Sequence, residues 1–178
     1  MKCNEKVLLL SLALPLFQAN ADIIVDGSTD TSVSVDSAGR DVIEIAPANA
    51  SRISHNRYTQ FDVGAQGVLI NNRLSAARTI INEVTGTEAS QINSDIRVQG
   101  TRAHLIIANP NGINIGGTTF YNTGAVGLTT GSIDYITRPT PLGGTQDFPV
   151  ITTSKGTITV GEGGIAGVMN RLDLISKN

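Results

Sequence analysis

The chain has 178 residues, 13 Lys+Arg against 15 Asp+Glu, one Cys, no Trp and 4% aromatics. A lone cysteine cannot build a disulfide framework or a thiolate metal site. With a net charge of −2 and no basic cluster, nucleic acid and anionic membrane surfaces are poor partners.

The first element is not part of the fold. Lys2 and Lys6 flank a short charged start, Val7–Phe17 is an apolar run broken only by Ser11 and Pro15, and Ala19-Asn20-Ala21 precedes Asp22. That order is a secretory signal peptide over residues 1–21, too short to span a bilayer as a helix. Cys3 lies inside it and does not follow the apolar run, so it is not placed like a lipoprotein cysteine. Residues 1–21 hold two Lys and one Glu, which leaves 11 basic and 14 acidic residues, net −3, in residues 22–178. Those residues have no cysteine, although an exported protein could form disulfides; the absence suits a chain that crosses a second membrane unfolded. Their length suits one domain.

From Asp22 onward the pattern is β. Segments rich in Val, Ile and Thr recur at Asp22–Val25, Ser32–Val35, Val42–Ile45, Val68–Ile70, Thr79–Val84, Ile92–Val98 and Ala103–Ala108. They continue at Thr118–Tyr121, Ala125–Thr129, Ser132–Ile136, Thr157–Val160 and Leu172–Ile175. Gly, Asn, Ser and Pro punctuate them. Stacked Val, Ile, Leu and Ala with few aromatics suit a β-solenoid, in which each coil rests on the next; a β-sandwich is the alternative. At about twenty residues per coil, the chain predicts roughly seven or eight coils. The segment Arg138–Pro149, with three prolines and two glycines, cannot continue a ladder and is expected to project as a loop.

Leu105–Ile115 is the most informative stretch: an apolar strand, the turn Asn109-Pro110-Asn111-Gly112, and a second strand. Pro fixes φ, Asn closes a turn through its side chain, and Asn or Gly tolerates left-handed φ. Between two apolar strands, this turn is expected to be a corner of the core held by Asn109 and Asn111 side-chain hydrogen bonds.

Several blocks, in order, resemble the two-partner secretion (TPS) domain. This is the filamentous-haemagglutinin-type amino-terminal region (haemagglutination activity domain) of large exported adhesins, haemolysins and contact-dependent inhibition proteins. The blocks are Ser54–Val63, Gly67–Asn72, Ile81–Gly86, Gly100–Ile113, Asn122–Gly124 and Leu128–Gly131. The resemblance implies an all-β, right-handed parallel β-helix over residues 22–178, with extra-helical hairpins or loops and an amino-terminal cap. It implies a secretion-targeting role: recognition in the periplasm by an outer-membrane β-barrel transporter with periplasmic transport-associated domains, then folding at the cell surface. The destination it implies is secreted or cell-surface. Asn109, Pro110, Asn111, Gly112 and Ile113 match the family's secretion motif. Many members carry an upstream Asn-Pro-Asn-Leu; here that region reads Asn71-Asn72-Arg73-Leu74, and Asn71 and Asn72 stand as a secondary turn. Family members usually continue for hundreds of residues beyond the point where this sequence stops.

No residues are assigned to catalysis, to a metal or to a cofactor. His55 and His104 are read as structural, since no spacing suggests converging zinc ligands. Asp22, Asp26, Asp30, Asp36, Asp41 and Glu44 make the amino end acidic but fall on separate turns, unlike an acid/base pair. Glu83 is read as a structural carboxylate, inward and paired. An alternative function is an adhesive or ligand-binding β-helix acting in its own right, with a host-cell surface as its partner. An open solenoid exposes a strand edge at each end. Asp22–Ile45 is expected to cap one end, and the end near Leu172–Ile175 is expected to be poorly capped.

Overall fold

A computed structural model describes residues 22–177; the expected signal segment, residues 1–21, lies outside them. Among the described residues there are 17 strands and no helix. The chain opens with β1 (Ile23–Val25), β2 (Ser32–Val35) and β3 (Asp41–Glu44), then β4 (Ile53–Phe61), β5 (Val68–Asn72) and β6 (Thr79–Val84). It continues with β7 (Ser90–Ile92), β8 (Ile96–Gly100), β9 (Ala103–Ala108), β10 (Ile113–Ile115), β11 (Thr118–Tyr121) and β12 (Thr123–Thr129). After β13 (Gly131–Pro139) and β14 (Thr145–Thr153), the last strands are β15 (Ile158–Val160), β16 (Ile165–Gly167) and β17 (Arg171–Ile175).

Successive strands visit three faces in turn. The first face is β1-β4-β6-β9-β12-β17, the second is β16-β11-β8-β5-β3-β2 and the third is β15-β10-β7. Every pairing between coils is parallel. This is a β-helix. Period-two alternation turns one set of side chains inward, and register stacks them. On the first face Ile80 lies beside Leu105, Leu105 beside Val126, and Val126 beside Leu172. On the second, Ile43, Ile70 and Val98 are neighbours, as are Val68, Ile96 and Phe120. Ile43, Ile70, Ile80, Leu105, Phe120 and Val126 are all fully buried. Stacked aliphatic side chains fill most of a narrow core, with Tyr58, Phe61 and Phe120 its only large aromatics among the described residues.

The two outer faces each hold five parallel strands, which makes about five coils where the composition predicts more. Three things consume the difference. Coil corners are long, residues 22–35 pair antiparallel with the first coil, and residues 131–153 leave the helix as a hairpin. The Ile92–Val98 segment is two strands rather than one, because the backbone turns a corner at Asn93–Asp95: Asn93 N–H donates to Val63 O (2.9 Å) and Val68 N–H to Asp95 O (2.9 Å). β4 and β16 were not expected as strands. In β4 the inward positions Ser54 and Asn56 are polar and fully buried, which hides the apolar alternation.

Arg138–Pro149 is a second correction. It projects, but as a ladder: β13 and β14 pair antiparallel from Gly131↔Thr153 to Pro139↔Thr145. Two of the prolines are tolerated by their parity. Ile133 N–H points out of the ladder to Glu83 Oε1 (2.9 Å), and Asp147 N–H points out to Ser51 Oγ (2.9 Å). Steps of two along each strand put Pro139 and Pro149 in the same outward set, where no ladder donor is lost. Pro141 sits in the turn, which is closed by Gly143 N–H donating to Thr140 O (3.1 Å).

The two ends differ, and the cap is shorter than the expected Asp22–Ile45, because β3 pairs parallel with β5 and belongs to the first coil. At the amino end β1 and β2 run antiparallel against β4 and β3 and cover the edges of the first coil. At the other end the inward columns stop in solvent: Val126 and Leu128 are 0% exposed, whereas Leu172 and Leu174, stacked on them, are 38% and 48% exposed. Opening free energy follows such differences in packing. In native-state hydrogen exchange, amides of β16 and β17 are therefore expected to exchange faster than those of β4. Equal protection of the two terminal coils would contradict this.

Candidate functional site

The Asn109–Gly112 turn joins the first face to the third. Gly112 N–H donates to Asn109 O (3.1 Å), which closes a four-residue turn, and Pro110 supplies a preset φ with no donor to satisfy. Asn109 is fully buried. Its Oδ1 accepts from Asn111 N–H (2.9 Å) and Asn111 Nδ2 (3.1 Å). Its Nδ2 donates to Glu88 O (2.9 Å) and Ser90 Oγ (3.0 Å) in the preceding coil. Its backbone N–H donates to Thr129 O (2.9 Å) in the following coil.

Asn111 makes a second cross-coil link. Its Nδ2 donates to Gly86 O (2.8 Å) on the preceding coil, and its Oδ1 accepts from Lys155 Nζ (2.7 Å) on the following one. Backbone bonds run alongside: Ser90 N–H to Gly112 O (3.1 Å) and Ile113 N–H to Thr157 O (3.0 Å). Gly112 has φ +126°, and a Cβ there would lie 3.1 Å from Thr157 O. At Gly156, above the turn, a Cβ would lie 2.6 Å from Pro110 O. Only glycine fits at either position. Ile113, fully buried, anchors the start of the third face. The sequence-predicted residues Asn109, Pro110, Asn111, Gly112 and Ile113 thus form one corner. Their partners Gly86, Glu88, Ser90, Thr129 and Lys155 were not anticipated, because stacking contacts have no local sequence signal.

Asn71 and Asn72 lie at a different corner, between the second and first faces. Asn72 is fully buried; its Oδ1 accepts from Ala77 N–H (2.8 Å), and its Nδ2 donates to Ala77 O (2.9 Å) and Thr101 O (2.8 Å). Asn71 Nδ2 donates to Glu44 Oε1 (2.7 Å). The intervening loop exposes Leu74 almost completely and holds Ala76 at φ +44°. So without the Pro, Asn72 still closes its turn and ties it to the next coil.

A polar cluster fastens the β13–β14 hairpin to the first face. Glu83 was expected inward; it points outward instead. Its neighbour Asn82 takes the inward position, where Tyr58 OH donates to Asn82 Oδ1 (3.0 Å). Glu83 is 5% exposed because the hairpin lies over it, a long-range contact that alternation cannot reveal. It is paired, as expected: His55 Nε2 is 3.0 Å from Oε2, and Ile133 N–H donates to Oε1 (2.9 Å). Arg57 Nε is 3.3 Å from Oε2, within charge attraction but misaligned for a hydrogen bond. A carboxylate can only accept, so Nε2 carries the proton, and Tyr135 OH, 2.9 Å from Nδ1, extends the relay. Burial alone would raise the Glu83 pKa. The His55 hydrogen bond, the Ile133 N–H and the charges of His55 and Arg57 outweigh it and hold the carboxyl below its usual range. The Tyr135 phenol is pushed up to about 12 by burial and by the nearby Glu83 and Asp147.

The remaining chemistry-bearing residues serve turns and packing. His104 Nδ1 accepts from Ala125 N–H (2.9 Å). Asp26 receives Ser28 and Thr85, and Asp36 receives Ala38 and Arg40. No group of three His, Cys, Asp or Glu converges among the described residues. A groove of about 480 Å³ runs between the hairpin and the first face, lined by Ile106, Gly127, Ile151 and Ile175 with Arg171 and Asp173 at its rim.

The Glu83 cluster makes hairpin docking acid-sensitive. A carboxylate whose folded pKa is depressed stabilises the fold fully above its unfolded value and loses that contribution as pH falls through the folded one. Docking is therefore expected to weaken as pH drops below about 4.5, the ordinary glutamate value. Glu83→Ala is expected to cost about 1–3 kcal/mol, because Ile133 N–H loses its partner while His55 and Arg57 reach solvent at the rim. Thermal melts of wild type and variant across acid pH check both; a wild-type profile as flat as the variant's would refute the linkage.

Comparison with known proteins agrees with this architecture. The family described as the TPS secretion domain matches residues 21–178. A tRNA nuclease CdiA from Yersinia mollaretii is 36% identical over 187 residues, covering 92% of this chain and 6% of that protein. Filamentous hemagglutinin of Bordetella pertussis is 35% identical over 142 residues, covering 70% of this chain and 4% of that one. The chain thus spans a small fraction of these relatives' length. A crystal structure of a filamentous hemagglutinin secretion domain superposes with a TM-score of 0.76 at 29% identity, covering 86% of this chain and 55% of the other. The chain belongs to the TPS secretion-domain family.

Proposed function

We propose that residues 22–178 are the secretion-targeting domain of a two-partner exoprotein. A cognate outer-membrane β-barrel transporter recognises the chain in the periplasm through its transport-associated domains. The chain then crosses unfolded and nucleates β-helix folding at the cell surface. The observation that carries this reading is the Asn109–Gly112 corner. One short motif bonds to the coil before it and the coil after it, so completing it commits three coils at once. A solenoid whose coils stack only on neighbours propagates once such a nucleus forms, and folding outside the membrane then opposes backsliding. Residues 1–21 act as the leader that delivers the chain to the periplasm.

An adhesive role for the same domain is the second reading. The groove between hairpin and first face favours it, since Ile106, Ile151 and Ile175 leave apolar surface beside the Arg171 and Asp173 charges.

The decisive assay co-expresses the transporter with wild type, Asn109→Ala or Asn111→Ala. Asn109→Ala removes a buried amide from Glu88 O and Ser90 Oγ, at about 1–3 kcal/mol. Reduced secretion is expected for both variants, more for Asn109→Ala, with purified variants still folded by circular dichroism. Undiminished secretion of both would leave the motif as an ordinary turn. Mass spectrometry of secreted protein is expected to find Asp22 at the amino terminus; an intact Met1 would overturn the leader assignment.

A further inference from the structure

The corner contains a chemical liability that the fold itself suppresses. Asn111 is the only asparagine followed by glycine in the sequence. In an unfolded chain such a pair cyclises readily, because glycine has no side chain to hinder attack of its amide nitrogen on the preceding side chain. We propose that Asn111-Gly112 is a deamidation site that is open in the unfolded chain and closed by the β-helix, so that time spent unfolded is recorded at this corner.

The step balances without an added oxidant or reductant. Gly112 N loses its proton to base and attacks Asn111 Cγ. A C–N bond forms, the Cγ–Nδ2 bond breaks, and ammonia leaves with the proton it needs. Water then opens the five-membered imide at either carbonyl, giving Asp or isoaspartate at 111.

Each reacting atom is held back in the fold. Gly112 N–H donates to Asn109 O (3.1 Å), which keeps its proton and directs it away from Asn111 Cγ. Asn111 Nδ2, the leaving group, donates to Gly86 O (2.8 Å) and Asn109 Oδ1 (3.1 Å). Asn111 Oδ1 accepts from Lys155 Nζ (2.7 Å). That ammonium polarises the carbonyl and by itself favours attack, but the turn withholds the nucleophile. Reaction therefore requires the corner to open, and the open fraction sets its rate.

Neither product rebuilds the corner as asparagine does. A carboxylate oxygen in place of Nδ2 faces Gly86 O and Asn109 Oδ1, acceptors against an acceptor that is also charged, and only Lys155 compensates. Isoaspartate also adds a methylene to the backbone, inside a turn where a Cβ on Gly112 would lie 3.1 Å from Thr157 O. The chemistry holds whether or not a transporter reads this turn.

The test holds purified protein either folded in buffer or unfolded in guanidinium chloride, at mildly alkaline pH. A synthetic peptide of residues 106–115 in both solutions corrects for the denaturant. Peptide mass mapping reads the mass gain at Asn111, which separates it from isoaspartate formed at Asp26-Gly27, where the mass does not change. Deamidation is expected to be about tenfold or more slower in the folded protein, as required if only the opened fraction reacts. After dilution from denaturant, the modified fraction is expected to be depleted in the protease-resistant pool, isoaspartate more than Asp. The Asn111→Asp variant, which keeps the normal backbone, is expected to melt at lower temperature than wild type. Equal corrected rates in folded and unfolded protein would overturn the closed-corner claim, and refolding of modified chains as well as unmodified ones would overturn the record.

Discussion

The structure depends on satisfying backbone polar groups at the corners of its coils. Along the faces of the inner coils the backbone N–H and C=O groups pair with the coil above or below, but a corner interrupts the ladder, and an unpaired buried group costs about 1–3 kcal/mol. Buried side-chain amides meet this need. An asparagine offers both donors and acceptor in one short side chain. Asn109 receives Asn111 N–H and reaches Glu88 O, Asn72 serves Ala77 and Thr101, and Asn56 receives Ala46 N–H (2.9 Å) while donating to Ile81 O (3.1 Å). Each is fully buried. The polar cost is repaid in register, because an amide that bonds to the next coil fixes which residue stands beside which.

That requirement explains which parts of the fold were legible in the sequence. Thr79–Val84 and Ala103–Ala108 were read with their observed bounds because their inward residues, such as Ile80 and Leu105, carry an apolar signal. β4 was missed as a strand for the opposite reason: Ser54 and Asn56 face the core to satisfy the cap, where Thr31 Oγ1 donates to Asn56 Oδ1 (2.9 Å). Glu83 was misplaced because a strand pattern reports only its own sheet, while burial of the outer face comes from a hairpin fifty residues downstream. The Asn-Pro-Asn-Gly turn was readable as a turn from its residue types. Its cross-coil partners were not, since Gly86 and Lys155 become neighbours only through register.

The amide corners and the Glu83 cluster do different work. The corners lie between coils and are satisfied by backbone groups, hydroxyls and amides, with the Lys155 ammonium on Asn111 and the Glu44 carboxylate on Asn71 as charged partners. The cluster lies outside the helix and is held by a carboxylate, an imidazole and a guanidinium. A buried charge pair contributes specificity more readily than stability. Here it sets where the hairpin docks: Ile133 N–H on Glu83 and Tyr135 on His55 fix one register of β13 against the first face, while Ile53, Ile81, Ala108 and Ile133 supply an apolar patch beneath.

Strand edges give the molecule a direction. At the amino end, β1 and β2 reverse the chain against the first coil and cover the edges of β4 and β3. The hairpin's own edges are blunted by Pro139 and Pro149 in outward positions and by bonds into Glu83 and Ser51. The opposite end has none of these devices among the described residues: β15, β16 and β17 each pair on one side only, and Leu172 and Leu174 continue the core columns into solvent. The apolar columns are therefore left uncovered at that end, whereas β1 and β2 lie over the first coil at the other. The Asn109 corner lies midway between the two ends, tied to the coil behind it and presenting Asn111 Oδ1 and Asn109 N–H to the coil ahead. The same residues that close the corner thus also fix the register of the coils on either side of it.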